Sequence, residues 1–446
     1  MAILPVVGTQ RVTINDLPYE LLLLIFIHTL PKFKHNVFNP WNIAVTSGEA
    51  SHVVRRNLSL VCRYWNGIII DRPPSLYTSI ILLVSSKMRF FHNFNAAPQK
   101  LLKRLILPSL QLPLDIHIKA QFRYELIPPV KILCNFLGNY MGRIRSLILD
   151  LEPYNSCDIL GELLVAQDEG GITNAPYLER LHLWLSGWRV SARTYNAYAR
   201  TLHAPRLKSL VLSNGFRGFT PLLSTETRQS IRSVLLETVS ISDLAALSQC
   251  PNLAHFFMKF GEPLNNPTVF TLPSVTHAEF PMPSLTETYI RQVHVPQIFH
   301  LCLNACNYHI VTKVLRKSGT TLQSLKLIKV DLRNLSYQTF FADFDNIRSL
   351  ELENCPLTGM FFGRLQPNKD GSLPCPKLEV LCVKWVKHKL PVEPVRSFVR
   401  TRLVVDKKGS VTGSLKQFEL EQKEDHHESL VELAKVCKGR FVYSKV

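Results

Sequence analysis

Residues 322–327 read Leu322-Gln323-Ser324-Leu325-Lys326-Leu327, and residues 347–352 read Ile347-Arg348-Ser349-Leu350-Glu351-Leu352. Both spell one pattern: apolar, two residues, apolar, one residue, apolar. Upstream it recurs as Ile298/Leu301/Leu303, Val275/Ala278/Phe280, Leu253/Phe256/Met258, Ile231/Val234/Leu236, Leu207/Leu210/Leu212, Leu178/Leu181/Leu183 and Ile144/Leu147/Leu149. Downstream it recurs as Leu378/Leu381/Val383 and Leu415/Phe418/Leu420. Across the centre, successive copies start 22–25 residues apart. The second and third apolar positions differ by two, so their side chains share one face of a strand. The first turns inward just ahead of it. One unit cannot cover its own apolar face, but stacked units bury a continuous core and pair their strands in a parallel sheet.

This period falls in the 20–29-residue window of leucine-rich repeats. Cys306 and Cys355 follow their strands in the Asn/Cys slot of that pattern, where a small side chain packs under the turn. A proline often stands two residues before the first apolar position, as at Pro176, Pro205, Pro251, Pro273, Pro296 and Pro376. Proline fixes φ and lacks a donor, which suits the loop entering a strand. The competing reading of the same stretch is a globular α/β domain.

Of the 446 residues, 46% are apolar and 19% charged, which excludes global disorder. No segment reaches the roughly 20 apolar residues of a membrane helix, so no membrane partner is expected. The first ten residues carry no basic run ahead of their apolar stretch, a poor signal peptide. Ten cysteines without a CxxC pair point to a reducing compartment, cytoplasmic or nuclear. The net charge is +18, and its excess sits in two blocks, 87–145 and 384–446. Nucleic-acid binders cluster such charge on one surface. Nothing in the sequence brings these blocks together, so they are read as solvated surface and nucleic acid is not an expected partner.

The first 86 residues follow another logic. Asn15-Asp16-Leu17-Pro18-Tyr19-Glu20 opens an apolar helix over 21–30, with Asn15 or Asp16 as cap and Pro18 in the first turn. A loop over 32–50 leads to a second helix over 57–70, then a turn into a strand at 75–84. The segment Leu17-Pro18-x-Glu20-Leu21-x3-Ile25-Phe26, then Leu60-Val61-Cys62-Arg63-x-Trp65, then Pro74-Ser75-Leu76-Tyr77, resembles an F-box. With the strand at 113–118 and the repeats, the chain is similar to the large fungal group of F-box proteins with degenerate leucine-rich repeats. The resemblance implies an α/β fold: a small helical F-box module followed by an irregular repeat solenoid, a parallel-strand horseshoe. The expected divisions are an F-box-like module over 12–86, a basic connecting segment and cap over 87–143, and the solenoid over 144–446.

The resemblance also implies a role, in which the F-box docks on the Skp-type adaptor of a cullin-RING (SCF) ubiquitin ligase and the repeats hold a protein substrate. Leu17, Pro18, Leu21, Ile25, Val61, Cys62 and Trp65 match the adaptor-contacting motif. Residues flanking the apolar strand positions point to the other, concave face. Among them Arg180, His182, Trp184, Phe257, Lys259, Lys326, Glu351 and Lys384 are the expected substrate contacts. No phosphate loop, dinucleotide fingerprint, zinc-protease helix or nucleophile elbow occurs. Gly409-x3-Gly413 reads as a turn, and His426-His427 as a solvated polar segment. The expectation is therefore no enzyme, no cofactor and no metal. The alternative function is a repeat scaffold with no link to a ubiquitin ligase.

Overall fold

The computed structural model describes residues 13–30, 33–34, 44–45, 51–71, 73–85, 103, 106–121, 134–152, 163–164, 172–185, 201–213, 216, 218–261, 268–280, 292–318, 321–333, 341, 345–368, 371–386, 390–403, 415–422, 428–437 and 439–445. The chain divides into two compact units, Met1–Leu207 and Lys208–Val446.

The first unit begins with three helices, α1 (Tyr19–Thr29), α2 (Ser51–Ser59) and α3 (Arg63–Ile70). The helix expected over 57–70 is therefore two. Cys62 breaks it: its backbone is extended at φ −160°, and its Sγ accepts the Trp65 N–H at 3.5 Å, capping α3. Asp16 caps a short turn of its own, accepting the Thr13 N–H and hydroxyl at 2.7 and 2.8 Å, and α1 starts behind Pro18. These two hydrogen bonds hold the Asp16 carboxyl below its ordinary range. Within 32–50, a two-residue antiparallel ladder joins Phe33–Lys34 to Ala44–Val45.

Four parallel strands follow: β1 (Ser79–Ser85), β2 (Leu114–Gln121), β3 (Ile144–Glu152) and β4 (Arg180–Leu185). Ile80, Ile116, Leu147 and Leu181 stand in register across them, all fully buried. The ladder thus starts well before residue 144. The pattern misses its first two strands because Tyr77 and Pro113 occupy the place of the leading aliphatic residue.

Among the described residues, the main parallel sheet has ten strands in the second unit: β5 (Ser209–Leu212), β6 (Ser233–Val239), β7 (His255–Gly261), β8 (His277–Phe280), β9 (His300–Asn304), β10 (Ser324–Ile328), β11 (Ser349–Glu353), β12 (Val380–Val386), β13 (Gln417–Gln422) and β14 (Phe441–Lys445). All three apolar positions of all eleven sequence copies are at most 4% exposed. Full burial of one such side chain stabilises by about 1.5–3 kcal/mol, so the repeat is the main source of cohesion. β14 lies beyond the last copy and was not legible, since Lys438 stands where a leading apolar residue belongs.

Two local devices make each repeat close. Ala175-Pro176, Ala204-Pro205, Cys250-Pro251, Leu272-Pro273 and Cys375-Pro376 each open a turn in which the first carbonyl accepts the fourth residue's N–H. Proline is preorganised for the second position of such a turn, and the fourth residue is the leading apolar one. At the strand exits, Ala305, Lys329, Asn354 and Trp385 are all left-handed, with φ between 52° and 55°. Each is followed by a buried residue: Cys306, Val330, Cys355 and Val386. The kink swings the chain inward and creates the small-residue slot.

Helices cover several crossovers: α4 (Thr225–Ser230), α5 (Ile241–Leu247), α6 (Tyr308–Ser318), α7 (Gly359–Arg364), α8 (Val392–Arg402) and α9 (Glu428–Val436). The buried carboxylate of Asp243, at the start of α5, accepts from Ser240 N–H (3.0 Å) and hydroxyl (2.6 Å), Gly218 N–H (3.0 Å), and Thr220 N–H (3.2 Å) and hydroxyl (2.7 Å). No helix among the described residues is long and apolar enough to cross a membrane.

Candidate functional site

Helix α1 reads Tyr-Glu-Leu-Leu-Leu-Leu-Ile-Phe-Ile-His-Thr and is apolar on every side. A helix of that kind needs cover all round, yet among the described residues this one is covered on one side. Leu22 and Phe26 are fully buried and pack with Trp65, Ile68 and Leu76. Phe26 meets Trp65 edge-on, with ring centroids 4.7 Å apart. On the opposite side Leu21 and Leu24 are 47% and 50% exposed. With Leu17, Ile25, His28 and Thr29 they line an open groove of about 580 Å³.

The elbow between α2 and α3 extends this surface. Leu60, Val61 and Tyr64 are exposed. Cys62 Sγ donates to Asn15 Oδ1 at 3.7 Å, which ties the elbow to the segment leading into α1. Arg55 secures the module from behind: its Nη1 donates to the Leu76 carbonyl at 2.6 Å, and its guanidinium lies 4.7 Å over the Tyr77 ring. Burial pushes Arg55 down to about 10, still cationic at neutral pH.

Of the seven residues matching the adaptor motif, Leu17, Pro18, Leu21, Ile25, Val61 and Cys62 all retain exposure around the groove and elbow. Trp65 is different: at 8% exposure it is the inner wall that holds α1 in place. Leu24 in the groove, and the exposed Leu60 and Tyr64 at the elbow, were not singled out as contacts from the sequence. Their signal was an apolar residue on the side of a helix or elbow that the core does not need.

The sheet face away from the apolar core is the second candidate surface. In the second unit, Lys326 contacts Glu351 and Glu353 at 3.1 and 2.8 Å, and Lys384 contacts Glu351 and Glu419 at 3.4 and 4.0 Å. Burial disfavours the charge on Lys326, but the hydrogen bonds it donates to Glu353 and Glu351 hold it above its ordinary range. Lys259 pairs with Glu237 at 2.9 Å. These half-exposed pairs contribute at most about 1 kcal/mol each to stability.

Two expected contacts are corrected. Phe257 is 5% exposed, because it continues a buried row with Val211 and Leu235 on that same face. In the first unit His182 is 1% exposed, in a buried row with Ile81, His117 and Ile148. Strand alternation assigns a face, but it does not say whether that face is covered. Arg180 is half-buried 3.7 Å from Asp115, and Trp184 is half-buried at the end of β4.

The described cysteines are free thiols, and no group of three or more His, Cys, Asp or Glu among the described residues is arranged to hold a metal ion. Gly409, Gly413, His426 and His427 lie outside the described residues. The chemistry these surfaces offer is apolar docking at the three-helix module and ionic recognition on the sheet. No protein-family model matches the chain, and no curated protein matches it.

Proposed function

We propose that this chain is a recognition subunit without catalysis of its own, joining a Skp-type adaptor, and through it a cullin-RING ubiquitin ligase, to a protein substrate. One observation carries the reading: α1 exposes Leu21 and Leu24 opposite its own core, and the same three-helix module exposes Leu60, Val61 and Tyr64. An apolar patch of this kind on a small module marks a protein interface. It includes Leu21 and Val61, two of the residues for which the F-box resemblance implies adaptor contact. The mixed-charge sheet face is the proposed substrate side, and the proposed setting is cytoplasmic or nuclear. The test is a pull-down of purified Skp-type adaptor by the full chain and by its Leu21→Ala/Leu24→Ala variant. Retention by the wild type and loss by the folded variant support the reading. No retention by the wild type favours the scaffold without a ligase.

A further inference from the structure

Three histidines stand in one row on the sheet of the second unit. The ladder pairs His255 on β7 with His277 on β8, and His277 with His300 on β9. Parallel strands are about 4.8 Å apart, so a residue repeated in register is brought to stacking distance. The rings do stack: centroids are 4.5 and 5.6 Å apart, with interplanar angles of 28° and 29°. Phe257 stacks on His255 at 6.4 Å, and Phe299 approaches His277 at 6.2 Å.

Two of the rings meet hydroxyls. His277 Nδ1 lies 2.9 Å from the Thr276 hydroxyl, and His300 Nδ1 lies 2.7 Å from the Ser324 hydroxyl. His255 Nδ1 is buried without a partner among the described residues. The charged groups facing the row from packed strands are Glu279 on β8, Lys326 on β10 and Glu351 on β11, while Lys259 on β7 is engaged by Glu237 on β6. Lys326 opposes protonation of His300 and Glu351 favours it. Among the described residues no carboxylate lies between the stacked rings. Charging adjacent rings therefore sets like charges about 5 Å apart in a partly desolvated site, which is costly.

We propose that this stack is an acid-sensitive switch: uncharged, it holds the β7–β9 ladder closed, and proton uptake places like charges ring against ring and loosens it. The proposal does not depend on adaptor docking. Burial, with His277 adding to it, pushes His255 and His300 down to about 4, and burial also lowers His277. The folded values lie below the unfolded value of about 6.5, so the folded chain binds fewer protons. Stability is then fully present above about pH 6.5 and falls as pH drops toward about 4. Halving the shifts for the partial exposure of the rings, His255 and His300 each raise the unfolding constant roughly tenfold between pH 7.5 and pH 5.

The test is thermal and denaturant unfolding of the full chain at both pH values, for the wild type, His277→Gln, and His294→Gln as an exposed control outside the row. The wild type and His294→Gln should lose stability alike on acidification. His277→Gln should show a several-fold smaller change in unfolding constant than the wild type, because it removes one titrating ring and separates the other two. NMR titration of the wild-type imidazoles is the second measurement, and it decides alone if His277→Gln does not fold. Coupled titration well below pH 6 supports the switch. Equal acid loss in folded His277→Gln, or three independent titrations near pH 6.5, would overturn it.

Discussion

Replacing Leu21 and Leu24 by alanine removes the outer side of α1 and leaves its inner side untouched. The two leucines are 47% and 50% exposed, so each has about half of its surface left to bury on a partner. Full burial of a leucine is worth about 1.5–3 kcal/mol. The remaining half then supplies about 1 kcal/mol by area, rising to about 2 kcal/mol in a well-packed interface centre. Together the substitutions should weaken adaptor binding by about 2–4 kcal/mol, roughly 30- to 1000-fold in Kd. Surface changes of this kind usually alter folding stability by less than about 0.5 kcal/mol each. The contrasting variant is Leu22→Ala/Phe26→Ala. Both side chains are fully buried against Trp65, Ile68 and Leu76, so each truncation should cost on the order of 2–5 kcal/mol of stability. The assay pairs calorimetric titration with purified adaptor and a thermal melt of the same preparation. The outer variant should lose affinity and keep its Tm, and the inner variant should lose Tm. Unchanged affinity in the folded outer variant, or a Tm loss matching the inner one, would refute the two-sided reading of α1.

Leu325→Ala should destabilise the second unit by about 2–5 kcal/mol, since Leu325 is fully buried between Leu301 and Leu350; a denaturant midpoint equal to that of the wild type would contradict this. Asp243→Ala should cost roughly 3 kcal/mol, because it leaves buried donors of Gly218, Thr220 and Ser240 unsatisfied at once; Asp243→Asn should recover part of the loss in the same melt. Burial pushes the Cys306, Cys355 and Cys375 thiols up to about 12, so mass spectrometry after brief alkylation of the native chain at pH 7.5 should find the half-exposed Cys62 labelled ahead of them. Labelling of Cys306 or Cys355 first would mean that the strand-exit slots open readily.

Much of the architecture is local information and was legible without coordinates. The triad spacing places two side chains on one strand face within six residues, and the proline turns and the Cys306 and Cys355 slots lie within a few residues of each triad. A solenoid repeats such short-range rules, so its period survives in the chain even where β1, β2 and β14 lack the leading aliphatic residue. The apolar character of α1 and the motif at Leu17–Trp65 were equally plain. Which side of α1 meets the core was not, because that depends on Trp65, Ile68 and Leu76, some 40 residues away. The exposure of Leu24, Leu60 and Tyr64 follows from that same packing, as does the break that Cys62 makes between α2 and α3. The far face of the sheet was decided only in three dimensions. Alternation put His182 and Phe257 there, but the rows that bury them, the Lys326–Glu351–Lys384 ion pairs and the His255–His277–His300 stack all join residues more than 20 positions apart. Burial and charge contact are properties of what lies across the ladder, and inter-strand register, unlike the strand itself, is not written in any one repeat.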